Sequence, residues 1–184
     1  PGQGSQSVGM GQTLAGASRA AAAVFDAADA ALGEPISELA WTGPAERLDL
    51  TENAQPALVA TSIAILEAVR DGLAAAGRTL PVPAFSAGHS MGQYTAMVAA
   101  GALSLADGVR LVRERGRLMQ AAVPAGSGAM AAVLGAEDAL VAEVCAQVSD
   151  SELVVPANYN SPGQIVIGGH AAAVDRALAE LATR

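Results

Sequence analysis

Gly88-His89-Ser90-Met91-Gly92 sets a serine between two glycines, after the apolar run VPAFSAG and before the helical run QYTAMVAAG. A G-x-S-x-G match between a buried strand and a helix is the context of a nucleophile elbow. The turn is tight enough to strain the serine, and side chains at Gly88 or Gly92 would clash with the neighbouring elements. The following helix points its N-terminus at Ser90, so backbone N–H groups can stabilise an oxyanion, with that of Met91 the first candidate. The pattern also fits a plain strand-to-helix turn whose glycines serve packing.

Arg115 is the second residue of interest. The spacing predicts a helix over 104–122, opened by Ser104 with Asp107 three residues on, and it carries Arg110, Arg113, Arg115 and Arg117. At roughly 100° per residue, Arg110, Arg113 and Arg117 share one face, expected to be solvated, which could attract an acidic partner. Arg115 falls instead in the apolar stripe, between Leu111, Leu118 and Ala122 on one side and Val112 and Met119 on the other. A guanidinium there keeps its charge and needs an anion, and its planar fork suits a carboxylate. An internal ion pair and a carboxylated substrate near Ser90 both meet that need.

The remaining polar candidates are weaker. Gln3, in the glycine-rich PGQGSQ, could offer a second oxyanion N–H. Asn158, Asn160 and Gln164 sit where two strands meet, and turn chemistry explains Asn160-Ser161-Pro162-Gly163 without a ligand. A serine nucleophile needs a base. His89 adjoins Ser90 and should point away from it, while His170 follows Gly168-Gly169 at a helix start, where capping or exposure is expected. Cys145 lies with Leu140, Val141 and Val144 on a helix and reads as core. The residues thus offer a nucleophile without a base.

The elements that must position these groups follow from periodicity. An alanine-rich helix is expected over 12–32, ending near Gly33, then a mixed stretch over 34–50. A long helix leads from Asn53–Pro56 to Gly77, and VPAFSAG reads as a buried strand. After Pro124 the texture changes. AMAAVLG, LVVPANYN and QIVIGG read as strands, with EDALVAEVCAQV and AAAVDRALAELA as helices. That order is a split βαβ pattern lacking its last strand. The chain starts at Pro1 on a turn that normally leaves a strand, and LATR closes a helix with no following element. A fragment trimmed at both ends is expected.

Composition bounds the rest. The 184 residues suit one domain, or one plus a small inserted one, and 52% hydrophobic residues exclude disorder. No apolar run reaches the roughly 18 residues of a membrane span, and no signal peptide opens the chain. One cysteine excludes a disulfide framework, and two histidines beside it argue against zinc, so the cytoplasm is the expected compartment. A net charge of −8, no lysine and 3% aromatics argue against nucleic acid.

Taken together, PGQGSQ, TENAQPAL (51–58), GHSMGQYTAMVAAGALS (88–104), VRLVRERGRLMQ (109–120) and NYNSPGQIVIGG (158–169) resemble, in order, blocks of the malonyl-CoA:acyl carrier protein transacylase family and related polyketide acyltransferase domains. The resemblance implies an α/β fold. Residues 1–124 would belong to a hydrolase-like large subdomain with a parallel sheet, and 125–184 to an inserted ferredoxin-like small subdomain, both incomplete. It implies that Ser90 takes malonyl from malonyl-CoA and passes it to the phosphopantetheine thiol of acyl carrier protein, with no cofactor and no metal. Arg115 would bind the malonyl carboxylate, Gln3 and Met91 would form the oxyanion hole, and Met119, Asn160 and Gln164 would line the cleft. The family histidine would lie past Arg184, so the isolated chain is expected to be poorly active. Gln93 departs from the glutamate of many relatives. The parent would be a monomer or one domain of a larger synthase. A serine esterase and a non-catalytic CoA- or carrier-binding fragment are the alternatives.

Overall fold

A computed structural model describes residues 2–123 and 126–184. The chain divides into two compact units, 1–121 and 122–184. In the first unit the described residues form α1 (Gln12–Ala17), α2 (Arg19–Leu32), α3 (Ile36–Thr42), α4 (Ala45–Leu48), α5 (Thr51–Ala75), α6 (Gly92–Ala99) and α7 (Leu105–Ala122). The alanine-rich run expected as one helix is two. Ser18 is extended, and its hydroxyl accepts the Ala21 N–H, so it ends α1 and caps α2. The stretch 34–50 is largely helical. Phe25, Ile36, Leu48, Leu58, Val59 and Val112 form the core between α2, α3, α4, α5 and α7, and Phe25 meets Trp41 edge-on with ring centroids 5.2 Å apart. Burial of each large side chain contributes about 1.5–3 kcal/mol.

Residues 80–88 correct the reading of VPAFSAG as a buried strand. They pair with no other segment and bend at Ala84, with Val82 93% and Phe85 92% exposed. A strand exists only through a neighbour's backbone, and no strand among this unit's described residues supplies one. The expected parallel sheet is therefore absent among the described residues.

Helix α7 brings a second correction. Its buried face is Gly108, Val109, Val112, Arg113 and Gly116, while Leu111, Leu118 and Met119 are exposed. The glycines explain the phase. A Cβ at Gly116 would lie 2.4 Å from the Glu52 Cα, and one at Gly108 2.7 Å from the Val98 side chain. These bare positions let α7 approach its neighbours closely, although a count of apolar side chains passes over them. Arg113 therefore does not lie on a solvated face. It is 5% exposed, donates to Asn53 Oδ1, and its Nη2 lies 2.8 Å from Glu34 Oε1. Burial chiefly pushes its pKa down, and the charge of Glu34 opposes that. Arg113→Ala is expected to cost about 1–3 kcal/mol by orphaning Asn53, and Arg113→Met less, because it refills the space without a charge. Urea unfolding midpoints of the two variants check this.

The second unit contains β1 (Gly128–Leu134), α8 (Asp138–Val148), β2 (Val154–Ser161), β3 (Gln164–His170) and α9 (Ala171–Leu181). The strands run in the order β1-β3-β2, antiparallel throughout, from Gly128 opposite His170 to Leu134 opposite Gln164. This is the βαββα order read from the sequence. One sheet face packs on α8 and α9 through Val133, Val141, Val144, Cys145, Val154, Ile165, Ile167 and Val174. Among the described residues no helix is long and apolar enough to cross a membrane.

Candidate active site

The elbow is built by its backbone. Ser90 has φ 51°, the one non-glycine residue with positive φ among those described. Such a conformation costs about 1–3 kcal/mol and persists only where its surroundings enforce it. The enforcement is visible at Gly88, where a Cβ would lie 2.0 Å from the Gly92 carbonyl oxygen. Gly92 N–H donates to the His89 carbonyl at 2.8 Å, and Gln93 N–H to that of Ser90 at 3.2 Å, so the chain enters α6 at once. The Met91 N–H makes no backbone hydrogen bond among the described residues, while the Met91 side chain is buried. One free N–H thus sits beside a strained serine at a helix start.

Arg115 reaches this serine. Its Nη2 donates to Ser90 Oγ at 3.1 Å and its Nη1 to Gln55 Oε1 at 2.6 Å. Of the two readings the sequence left open, the internal ion pair is not formed among the described residues, for a neutral amide and a hydroxyl hold the guanidinium. Gln55 is fully buried, and its Nε2 also donates to Thr51 Oγ1 at 2.8 Å and faces Met119 Sδ at 3.6 Å. Gln55 stands in the sequence only within TENAQPAL, with no motif of its own. Its signal was an amide in the otherwise apolar stretch from Ala54 to Ala60, where burial demands a polar partner. The reach of Arg115 depends on Gly116, whose missing Cβ lets α7 touch the start of α5. Gly116→Ala is expected to lower stability by about 1–3 kcal/mol and to pull Arg115 off Gln55. Thermal unfolding and a fall in any Arg115-dependent selectivity would report it together.

Gln3 joins the same hydrogen-bonded line at its far end, and the other candidates lie apart. Gln3 is exposed, and its Oε1 accepts from Thr51 Oγ1 at 2.8 Å. Asn160 and Gln164 lie in the second unit, both exposed, at the β2–β3 hairpin. The register slips between Tyr159 and Ser161, so Asn160 is the bulged residue there. His89 is exposed and makes no side-chain hydrogen bond among the described residues. His170 Nδ1 accepts the Leu153 N–H at 3.0 Å, rather than capping α9 by its side chain. Cys145 is buried, which raises its thiol pKa. Among the described residues no group of three or more His, Cys, Asp or Glu could hold a metal ion.

A serine strained at a helix start, beside a cation that no carboxylate among the described residues neutralises, has the makings of a group that attacks a carbonyl and attracts a negatively charged acyl group. The chain belongs to the acyl transferase domain family, whose profile matches residues 1–184. It is 51% identical over 178 residues to the malonyl CoA-acyl carrier protein transacylase of Bacillus subtilis (strain 168), covering 96% of this chain and 54% of that protein. The crystal structure of malonyl-CoA:acyl carrier protein transacylase from Xanthomonas oryzae pv. oryzae KACC10331 superposes with a TM-score of 0.89 at 57% identity, covering 100% of this chain and 57% of that one. A type II PKS acyl-carrier protein in complex with its malonyl-transacylase (PlMCAT:AntF) gives a TM-score of 0.85 at 42% identity, covering 96% and 55%. The chain therefore spans about half the length of the relatives it matches.

Proposed function

We propose that this chain carries the nucleophile and the acyl-binding arginine of a malonyltransferase acting between malonyl-CoA and acyl carrier protein. In the first half-reaction the Ser90 Oγ–H gives its proton to a base while Oγ bonds the thioester carbonyl carbon. The C–S bond then breaks, and the CoA thiolate takes the proton. In the second, the phosphopantetheine thiol gives its proton to the base and displaces Ser90, which is reprotonated. Met91 N–H, and with it the N–H of Gln3, stabilise the oxyanion. Arg115 turns its guanidinium to the malonyl carboxylate, which holds the thioester for attack. Met119, Asn160 and Gln164 contact the acyl group or its carrier. The base is a histidine other than His89 and His170, and no cofactor takes part. The hydrolase-like and ferredoxin-like subdomain architecture belongs to the same proposal.

The observation that carries this reading is the Arg115 bridge between Ser90 and Gln55. A serine esterase for simple acyl groups would line that position with apolar side chains. The test is intact-mass measurement of the protein carrying this chain, after brief exposure to malonyl-CoA or acetyl-CoA. One malonyl group on the peptide bearing Ser90, discharged by acyl carrier protein, is the expected result. These 184 residues contain no lysine amine to compete for the acyl group. Absence of an adduct, or ester hydrolysis that outruns transfer, would overturn the reading.

A further inference from the structure

Gln3, Thr51, Gln55, Arg115 and Ser90 form one unbroken line of hydrogen bonds: 2.8 Å from Thr51 to Gln3, 2.8 Å from Gln55 to Thr51, 2.6 Å from Arg115 to Gln55 and 3.1 Å from Arg115 to Ser90. We propose that Thr51 is a positioning residue which couples the loop of residues 2–6 to Arg115, so that carboxylate capture and placement of Gln3 at the acyl carbonyl are one event. The inference rests on the malonyltransferase reading above.

The direction of the links from Arg115 to Thr51 follows from the arginine. A guanidinium has donors and no acceptor, so Gln55 must turn Oε1 toward it. That leaves Nε2 for Thr51, whose oxygen must accept. The single Thr51 proton is then left to donate, and it points to Gln3 Oε1. Turning the Gln55 amide over would set its Nε2 donors against the donors of the guanidinium. Gln55 is fully buried, so water does not replace a lost partner. The loop's other ties are weaker anchors. Gln6 Nε2 donates to Asp49 Oδ1 at 2.9 Å and Gly4 N–H to Gln6 Oε1 at 2.8 Å, both exposed to solvent. Thr51 thus joins the loop to the buried amide that orients Arg115. A carboxylate that draws the guanidinium off Ser90 also alters the bond to Gln55, and the change passes through Thr51 to Gln3.

The experiment compares Thr51→Val with Thr51→Ser in the protein carrying this chain, reading malonyl and acetyl adducts on Ser90 over time. Valine keeps the shape and removes the hydroxyl. Malonyl acylation should fall about tenfold or more and the malonyl-to-acetyl ratio should drop, whereas serine should stay within about threefold of the native protein. Thr51→Val near native rates would overturn the coupling. So would a serine variant as poor as valine, or equal losses for both acyl groups. If Thr51→Val does not fold, malonate titration of the isotope-labelled native protein decides. Coupling requires the Gln3 backbone amide resonance to move together with the Gln55 side-chain amide, and a Gln3 signal that stays fixed overturns it. A native protein that forms no malonyl adduct refutes the malonyltransferase reading itself, which separates the two failures.

Discussion

Ser90→Ala is expected to abolish the malonyl adduct and to lower malonyl transfer by on the order of a millionfold, the loss typical of a nucleophile that acts as a unit with its base. Alanine is the informative replacement because it keeps the Cβ, and with it the strain of a φ of 51°. The variant removes only Oγ and the hydrogen bond that Arg115 donates to it. That bond is partly exposed, so the fold should lose little stability, and circular dichroism and the melting temperature should stay near those of the parent. A malonyl group still retained on the variant protein would place the nucleophile elsewhere.

Arg115→Ala is the second large effect. The guanidinium is held by Gln55 and Ser90 rather than by a carboxylate, so a substrate carboxylate meets a cation with no competing anion. Removing it should cost malonyl acylation about 2–4 kcal/mol, or roughly thirtyfold to a thousandfold, because a partly desolvated charge on the substrate loses its partner. Acetyl acylation has no charge to lose and should change far less. Arg115→Lys should fall between, since one ammonium cannot donate along both directions of the fork. Rates of adduct formation with the two thioesters provide the check, and equal losses for both would remove Arg115 from carboxylate recognition.

Local signals made much of this molecule legible. The elbow could be read because its requirements are packed into five residues, and the structure places the strain at Ser90 and the clash at Gly88. The strands and helices of residues 128–181 follow the alternation and helical spacing of their own side chains, down to the turn at Pro162-Gly163. What failed was non-local. Whether VPAFSAG becomes a strand depends on a neighbour that the segment cannot encode. The buried side of α7 was misjudged because Gly108 and Gly116 mark it by the lack of a side chain. That error left Arg113 in solvent on paper, whereas the fold buries it against Asn53 and Glu34. Gln55 escaped notice because nothing in TENAQPAL tells which polar residue turns inward. The placement of Arg115 beside Ser90 was one of two readings the sequence left open, and of the stripe that raised it Leu111, Leu118 and Met119 are exposed while Val112 is buried.

The left-handed backbone at Ser90 has an evolutionary consequence. Glycine would occupy that turn without penalty, so drift guided by folding alone would run from serine toward glycine. A serine that persists there marks a position where selection works against the polypeptide's own preference. On the malonyltransferase reading proposed above, the elbow is a site where fitness and foldability pull in opposite directions, and lineages released from the chemistry should lose the hydroxyl early.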